Sequence, residues 1–202
     1  SRKYIREALK EKGIDPEPGE LTEVVNAVYQ SMDAIVPGPM RVMRWIKKHV
    51  GEYIKNGGTE VEWETPTGFV VNQIRNTITT ERMELQLLGR VQLRVPSGEE
   101  TPCPRKHRSS TAPNFIHSLD ASILHSSFQK FNGPFTVIHD SVLCRAGDMG
   151  TLNSLVRETY TDIFTRDCWL TRFGNTINAS EPPPIVGTLD PNVVTNSTYF
   201  FC

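Results

Sequence analysis

The chain contains no run approaching the roughly 18 consecutive apolar residues that a bilayer-crossing helix needs. That excludes a membrane-spanning helix within these 202 residues. The opening Ser1-Arg2-Lys3-Tyr4 is polar and offers no secretory h-region. A soluble, intracellular protein is expected, and any targeting signal upstream of Ser1 would lie out of view. Cysteine is scarce: Cys103, Cys144, Cys168 and Cys202 are scattered, with no Cys-x-x-Cys pair and no Cys/His zinc spacing. Free thiols in a reducing compartment are the simplest account. Charge of one sign is lacking too, since 22 Lys and Arg face 23 Asp and Glu for a net −1. Composition therefore does not announce a nucleic-acid binder, and local clusters must carry that argument. Internal repeats and low-complexity tracts are absent.

What remains is a globular composition, 38% hydrophobic and 22% charged, long enough for one substantial core or two small ones. Leu21, Val24, Val25, Val28, Tyr29, Met32, Ile35 and Val36 recur at helical spacing until Pro37-Gly38-Pro39 breaks the pattern. A second helix carries Met43, Ile46, Val50, Tyr53 and Ile54, and Asn56-Gly57-Gly58 stops it. Val61 to Trp63 reads as a strand before the turn Thr65-Pro66-Thr67-Gly68-Phe69. Two basic clusters stand out: Arg41, Arg44, Lys47, Lys48 and His49, then Arg105, Lys106, His107 and Arg108. On pattern alone each is a solvated helix face.

From Arg82 to Val95 polar and apolar residues alternate on both sides of Gly89, which predicts a two-stranded hairpin over about 74–95 with one polar face. A β-ribbon fits the major groove of DNA, and Arg, Gln and Glu recognise base edges. A solvent-facing amphipathic hairpin explains the same pattern. A polar loop is expected from Pro96 to Thr111, then a helix opened by Pro113 and running through Phe131. Ile116, Leu119, Ile123 and Phe128 form its core stripe, while His117, Asp120, Ala121 and Leu124 share an adjacent side at i+3, i+4 and i+7.

The β-branched run Phe135-Thr136-Val137-Ile138 then enters His139-Asp140-Ser141, and Val142-Leu143-Cys144 leaves it. A tight strand-turn-strand would hold the Asp140 carboxylate at the tip of a buried hairpin, a place for a metal ion. An ordinary turn aspartate is the competing account. A long amphipathic helix follows, with Leu152, Leu155, Val156, Thr159, Tyr160, Ile163 and Phe164 facing the core. The whole reads as an α+β chain, mainly helical.

Pro113-Asn114-Phe115-Ile116-His117-Ser118-Leu119-Asp120, with His139-Asp140-Ser141 beginning 22 residues after His117, resembles the last third of the bacteriophage-type single-subunit DNA-directed RNA polymerases. Thr65 to Phe69 resembles that family's Thr-Pro-Asp-Gly-Phe turn, Met43-Arg44-Trp45-Ile46-Lys47 a Trp-containing helix before it, and Tyr199-Phe200-Phe201 its aromatic carboxyl terminus. Similarity runs from end to end, weaker before Leu21 and between Asp167 and Val186. Family A DNA polymerases resemble His-Asp-Glu where Ser141 stands here, so the serine favours RNA synthesis.

The resemblance implies the fingers and palm parts of a right-hand polymerase fold: fingers over 1–112 with the hairpin as DNA reader, palm over 113–202 with Asp140 on its hairpin. It implies template-directed nucleotidyl transfer, with Asp140 helping to hold two Mg²⁺ ions about 3.5 to 4 Å apart. A first catalytic aspartate and the nucleotide-gripping helix precede the matched region in that family, so half of the active site is expected in a missing N-terminal polymerase part, on the same chain or a separate subunit. His117 would meet the nucleotide ribose or the hybrid. His139 would shape the hairpin or touch the hybrid rather than ligate Mg²⁺, which prefers oxygen. Arg82, Glu84, Gln92 and Arg94 fall on the base-contacting hairpin positions, and the terminal aromatics on a segment that folds back against the palm. Template and promoter DNA, RNA product and nucleoside triphosphates are the implied partners. Host-cell cytoplasm is the implied location if the source is a phage, with the mitochondrial matrix as the alternative. Two other readings stay open: a non-catalytic nucleic-acid-binding fragment or subunit, and a His-Asp metal phosphohydrolase prompted by His139-Asp140.

Overall fold

A computed structural model describes residues 2–85, 91–185 and 187–200. The hairpin tip at 86–90 and the terminal Phe201 and Cys202 lie outside the described residues. The chain divides into two compact units, Ser1–Arg44 with Pro184–Gly187, and Trp45–Pro183 with Thr188–Cys202.

The first unit holds α1 (Arg2–Glu11), α2 (Pro18–Ile35) and the start of α3 (Pro37–Lys55). A capping box starts α2: Glu17 accepts from the N3 amide while Glu20 accepts from the Glu17 N–H at 2.9 Å. Pro18 follows at the first helical position, where its missing N–H costs nothing. Of the apolar face expected on α2 only Leu21 is buried, and Val24, Val28 and Met32 stay exposed.

The second unit begins with the rest of α3, whose Ile46, Val50 and Ile54 are buried as their spacing predicts, with Trp45 buried beside them. Strands β1 (Val61–Glu64) and β2 (Val70–Gln73) pair antiparallel around the Thr65–Phe69 turn. Gly68, at φ +78°, closes that turn by donating to the Thr65 carbonyl at 2.9 Å. Trp63, Phe115 and Phe173 form an aromatic triangle with ring centroids 4.9 to 6.1 Å apart, tying β1 to α4 (Pro104–Lys130) and α6 (Trp169–Thr176). Each such burial stabilises by about 1.5–3 kcal/mol. Beyond α6, the Trp45 indole donates to the Glu181 carbonyl at 3.1 Å and Lys48 pairs with the Glu181 carboxylate at 2.6 Å. That bond holds Lys48 above and Glu181 below their usual pKa values.

Strands β3 (Asn76–Leu85) and β4 (Val91–Pro102) form the long ribbon. It reaches further than expected. Residues 96–102, read as loop, continue β4 past an irregularity between Ile78 and Thr80, where Gly98 adopts φ +84°. A bulge of this kind absorbs the Pro96-Ser97-Gly98 turn signal without ending the strand. Helix α4 likewise starts at Pro104, not Pro113. Pro113 sits inside it, able to give no N–H to the preceding turn.

The core side of α4 is wider than the stripe expected: Leu119 is buried and Ile123 and Phe128 pack on the Phe131, Leu152 and Val156 cluster as expected, but Ile116 does not join them. Ile116 is 47% exposed, whereas His107, Thr111, Phe115, Leu119, Ser122 and Ser127 are buried. The serines lie inward because their hydroxyls return to carbonyls four residues back, Ser122 to Ser118 and Ser127 to Ile123, both at 2.7 Å. The histidines of both basic clusters, His49 at 2% and His107 at 0% exposure, belong to the interior and not to a solvated face.

Strands β5 (Phe135–Ile138) and β6 (Ser141–Cys144) form the third hairpin, and α5 (Met149–Arg166) packs behind it. Phe131, Leu152 and Val156 centre a cluster that includes Phe128, Val142, Cys144 and Phe200. The short α7 (Val193–Asn196) is fastened to α5 by Arg157, which donates to the carbonyls of Val194 at 2.6 Å and Ser197 at 2.7 Å. No helix among the described residues is long and apolar enough to cross a membrane.

Candidate active site

The two-residue turn between β5 and β6 is made by His139 and Asp140, with Ile138 paired to Ser141. His139 has φ +57°, a conformation that favours glycine and costs a histidine roughly 1–3 kcal/mol. The turn is anchored from below. Phe135 stacks on Phe128 at 4.1 Å and 6°, and Val142 and Cys144 enter the Phe131 cluster. Asp140 itself is exposed, and so are all four residues of β5. The expected buried hairpin is therefore corrected: within this chain one side of the ribbon packs on α4 and α5, and Ile138 and Leu143 remain 61% and 58% exposed.

The turn faces α4. His117, Asp120, Ala121 and Leu124, the side of α4 singled out from spacing, join His139 and Asp140 around a cleft of about 380 Å³. An adjoining apolar groove of about 670 Å³ shares Ala121, Leu124 and His139 and is lined further by Phe69, Phe128 and Phe135. Asp140 has no ion-pair partner among the described residues. Its carboxylate is the right donor for a hard cation. No group of three or more His, Cys, Asp or Glu among the described residues could hold a metal ion, however. The oxygen chemistry fits Mg²⁺, but the ligand set requires carboxylates from elsewhere.

Beneath α4 lies a polar network that apolar periodicity does not reveal. Gln73 on β2 donates to the Thr111 hydroxyl at 2.8 Å and more weakly to His107 Nδ1 at 3.4 Å. The Gln73 side-chain oxygen accepts from Asn114 at 2.7 Å. With Nδ1 accepting, the ring proton sits on Nε2, which is buried with no hydrogen-bond partner among the described residues. Burial, and then the Arg75 guanidinium, push the His107 pKa down. The available signal was the i, i+4, i+7 spacing of residues 107, 111 and 114.

The terminal aromatics part company. Phe200 packs on Tyr160 at 5.0 Å with the Arg157 guanidinium 5.6 Å from its ring, while Tyr199 is 90% exposed, contrary to the expected docking of all three. On the β3–β4 ribbon, position 82 pairs with 94 and position 84 with 92. Positions two apart share a face, so this register gathers the four expected base-contacting positions on one side of the ribbon.

A family model described as DNA-dependent RNA polymerase matches residues 1–182. The chain belongs to this family. It is 25% identical to the DNA-directed RNA polymerase of Pseudomonas phage phiKMV over 85% of its own length, and 29% identical to T7 RNA polymerase of Escherichia phage T7 over 68%. It is 28% identical to the human mitochondrial DNA-directed RNA polymerase over 88%. The chain spans 22%, 18% and 16% of those three relatives, so it matches about a fifth of a whole polymerase.

Proposed function

We propose that this chain supplies fingers and palm elements of a right-hand, DNA-dependent RNA polymerase, with Asp140 as one of its catalytic carboxylates. The observation that carries this reading is the convergence of His117, Asp120, His139 and Asp140 on one cleft in a chain of this family. Residues 113–202 are assigned to the palm and 1–112 to the fingers. Mg²⁺, when bound, would neutralise the developing charge on the attacking and leaving oxygens. Asp140 would hold it together with carboxylates from outside the chain. The chain's own part is to fix that carboxylate at a strained turn, to offer the His117 ring to the ribose or hybrid, and to present Arg82, Glu84, Gln92 and Arg94 to promoter DNA. His139 shapes the turn.

Template and promoter DNA, RNA and nucleoside triphosphates are the partners of this reading, and a further polymerase segment completes the site. A two-stranded sheet rarely stands alone, and the exposed apolar residues of β5 suit a hairpin built into a larger palm. The location follows the source, and the relatives include phage, mitochondrial and chloroplast enzymes.

The test is reconstitution: this chain mixed with a polypeptide carrying the rest of the polymerase, and primed RNA extension measured with Asp140 and with Asp140→Asn. Extension is expected to fall at least about a hundredfold in the variant. Equal extension by both would overturn the assignment. A second reading, a nucleic-acid-binding subunit without its own chemistry, draws on the absence of a three-ligand group among the described residues. Binding without extension in the completed mixture would favour it. The phosphohydrolase reading has no comparable support.

A further inference from the structure

Helices α3 and α4 meet at Gly51. A Cβ placed there would lie 2.7 Å from Cδ of Arg108, so the Arg108 stem occupies the space a side chain would fill. Lys47 and Lys55 stand one turn before and one turn after Gly51 on the same face of α3. Arg105 stands one turn before Arg108 on α4. Lys55, Arg105 and Arg108 are exposed and Lys47 is half-buried.

Their neighbour Lys48 is paired with Glu181 at 2.6 Å, and the exposed Glu52 lies 3.1 Å from His49 Nδ1. None of Lys47, Lys55, Arg105 and Arg108 forms an ion pair with a described residue. Four like charges are thus gathered without internal compensation on a chain of net charge −1. None of the four lines the Asp140 cleft or its adjoining groove.

We infer that Lys47, Lys55, Arg105 and Arg108 form a track for the phosphodiester backbone of duplex DNA, distinct from the Asp140 cleft. Lys47 and Lys55 are eight residues apart, about 12 Å along α3. That matches the axial advance of three to four nucleotides at roughly 3.4 Å each. The Arg108 stem, laid over Gly51, carries its guanidinium to the same surface, where planar donors suit phosphate oxygens. This inference rests on the reading that the chain works on nucleic acid, yet it concerns positioning and not chemistry.

The test titrates the full chain with a short duplex of arbitrary sequence over a range of salt concentrations. The double variant Lys55→Gln/Arg105→Gln alters only exposed side chains, and circular dichroism checks its fold. The slope of log affinity against log salt is expected to shrink by about 1.8, or about 0.9 for each phosphate no longer neutralised. A control double variant, Lys3→Gln/Lys12→Gln, removes the same charge elsewhere and is expected to leave the slope as it was. An unchanged slope in the first variant, an equal change in both, or binding to anionic vesicles but not to duplex would each overturn the track. Extension by the completed enzyme with Asp140→Asn fails or succeeds independently, which separates loss of this inference from loss of the polymerase reading.

Discussion

Trp63 on β1 donates its indole N–H to the Ser118 hydroxyl on α4 at 2.9 Å, and Ser118 immediately follows the cleft residue His117. The same Ser118 hydroxyl lies 2.7 Å from the Phe115 carbonyl, to which it donates in turn. A buried aromatic of the β1–β2 hairpin thereby fixes the turn of α4 that presents His117. Trp63→Ala is expected to cost about 3–5 kcal/mol of stability, whereas Trp63→Phe keeps most of the packing and loses about 1 kcal/mol with the hydrogen bond. Denaturant unfolding of the two variants checks the order. No loss in Trp63→Phe would mean that the indole N–H contributes nothing, and equal losses would mean that the ring packing adds nothing beyond the hydrogen bond.

Arg82 lies on the ribbon face that the register shares with 84, 92 and 94, and its side chain is exposed. If the ribbon reads DNA, Arg82→Ala should weaken binding to the cognate site by about 1–3 kcal/mol while leaving arbitrary duplex nearly unaffected. Selection of preferred duplexes by the completed polymerase, followed by comparison with the variant, measures this. A uniform loss on all sequences would reassign Arg82 to the phosphate backbone.

Phe200 and Arg157 close the carboxyl-terminal segment over α5. Phe200→Ala should lower stability by about 1–2 kcal/mol, because the ring is only partly buried. Arg157→Lys keeps the charge but loses the planar guanidinium, whose Nη1 donates to both Val194 and Ser197 while its Nε holds Asn153. Both variants are expected to reduce extension by the completed enzyme, since Phe200 belongs to the cluster that carries Val142 and Cys144 of the Asp140 hairpin. Full extension by both would remove the terminus from the working site.

His107 sets a pH dependence. Its ring titrates below the ordinary 6.5 in the folded chain because burial, then Arg75, disfavour its charged form. Below that value the unfolded state binds more protons than the folded one, so this contribution is complete above about pH 6.5 and is lost as pH falls. The stability difference between the chain and His107→Gln should therefore narrow on acidification. Thermal unfolding from neutral to mildly acidic pH is the measurement, and parallel curves would exclude His107 as the source.

The Asp140 hairpin was legible because a β-branched run, a short polar turn and a second apolar run leave one arrangement open, and because α4 announces its cleft side by spacing. The inward side of α4 was not. His107, Thr111, Ser122 and Ser127 count as polar in any hydrophobic pattern, yet the serines are satisfied by their own helix, and Gln73, a residue 34 positions from His107 in sequence, donates to Thr111 and reaches His107 Nδ1. Ile116 was apolar and misled for the opposite reason. At the start of α4 the helix was expected to open at Pro113, but the strand running to Pro102 leaves the first-turn position to Pro104. Residues from Pro96 onward read as loop because a bulge and a loop use the same residue types.

Helix α4 is a single rod of 27 residues, about 40 Å long. Near its amino end the Lys106 ammonium holds the Asn76 carbonyl at the root of the ribbon, and the Cys103 amide holds that of Arg75. Halfway along stand His117 and Asp120, and near its far end lies the Phe131 cluster. If the ribbon grips promoter DNA and the Asp140 cleft is where the bond is made, the rod acts as a ruler between the two. One residue inserted before His117 would turn the cleft side of α4 by about 100° and advance it by about 1.5 Å. Start-site choice and catalysis would then fail together, although no residue at either place had been changed.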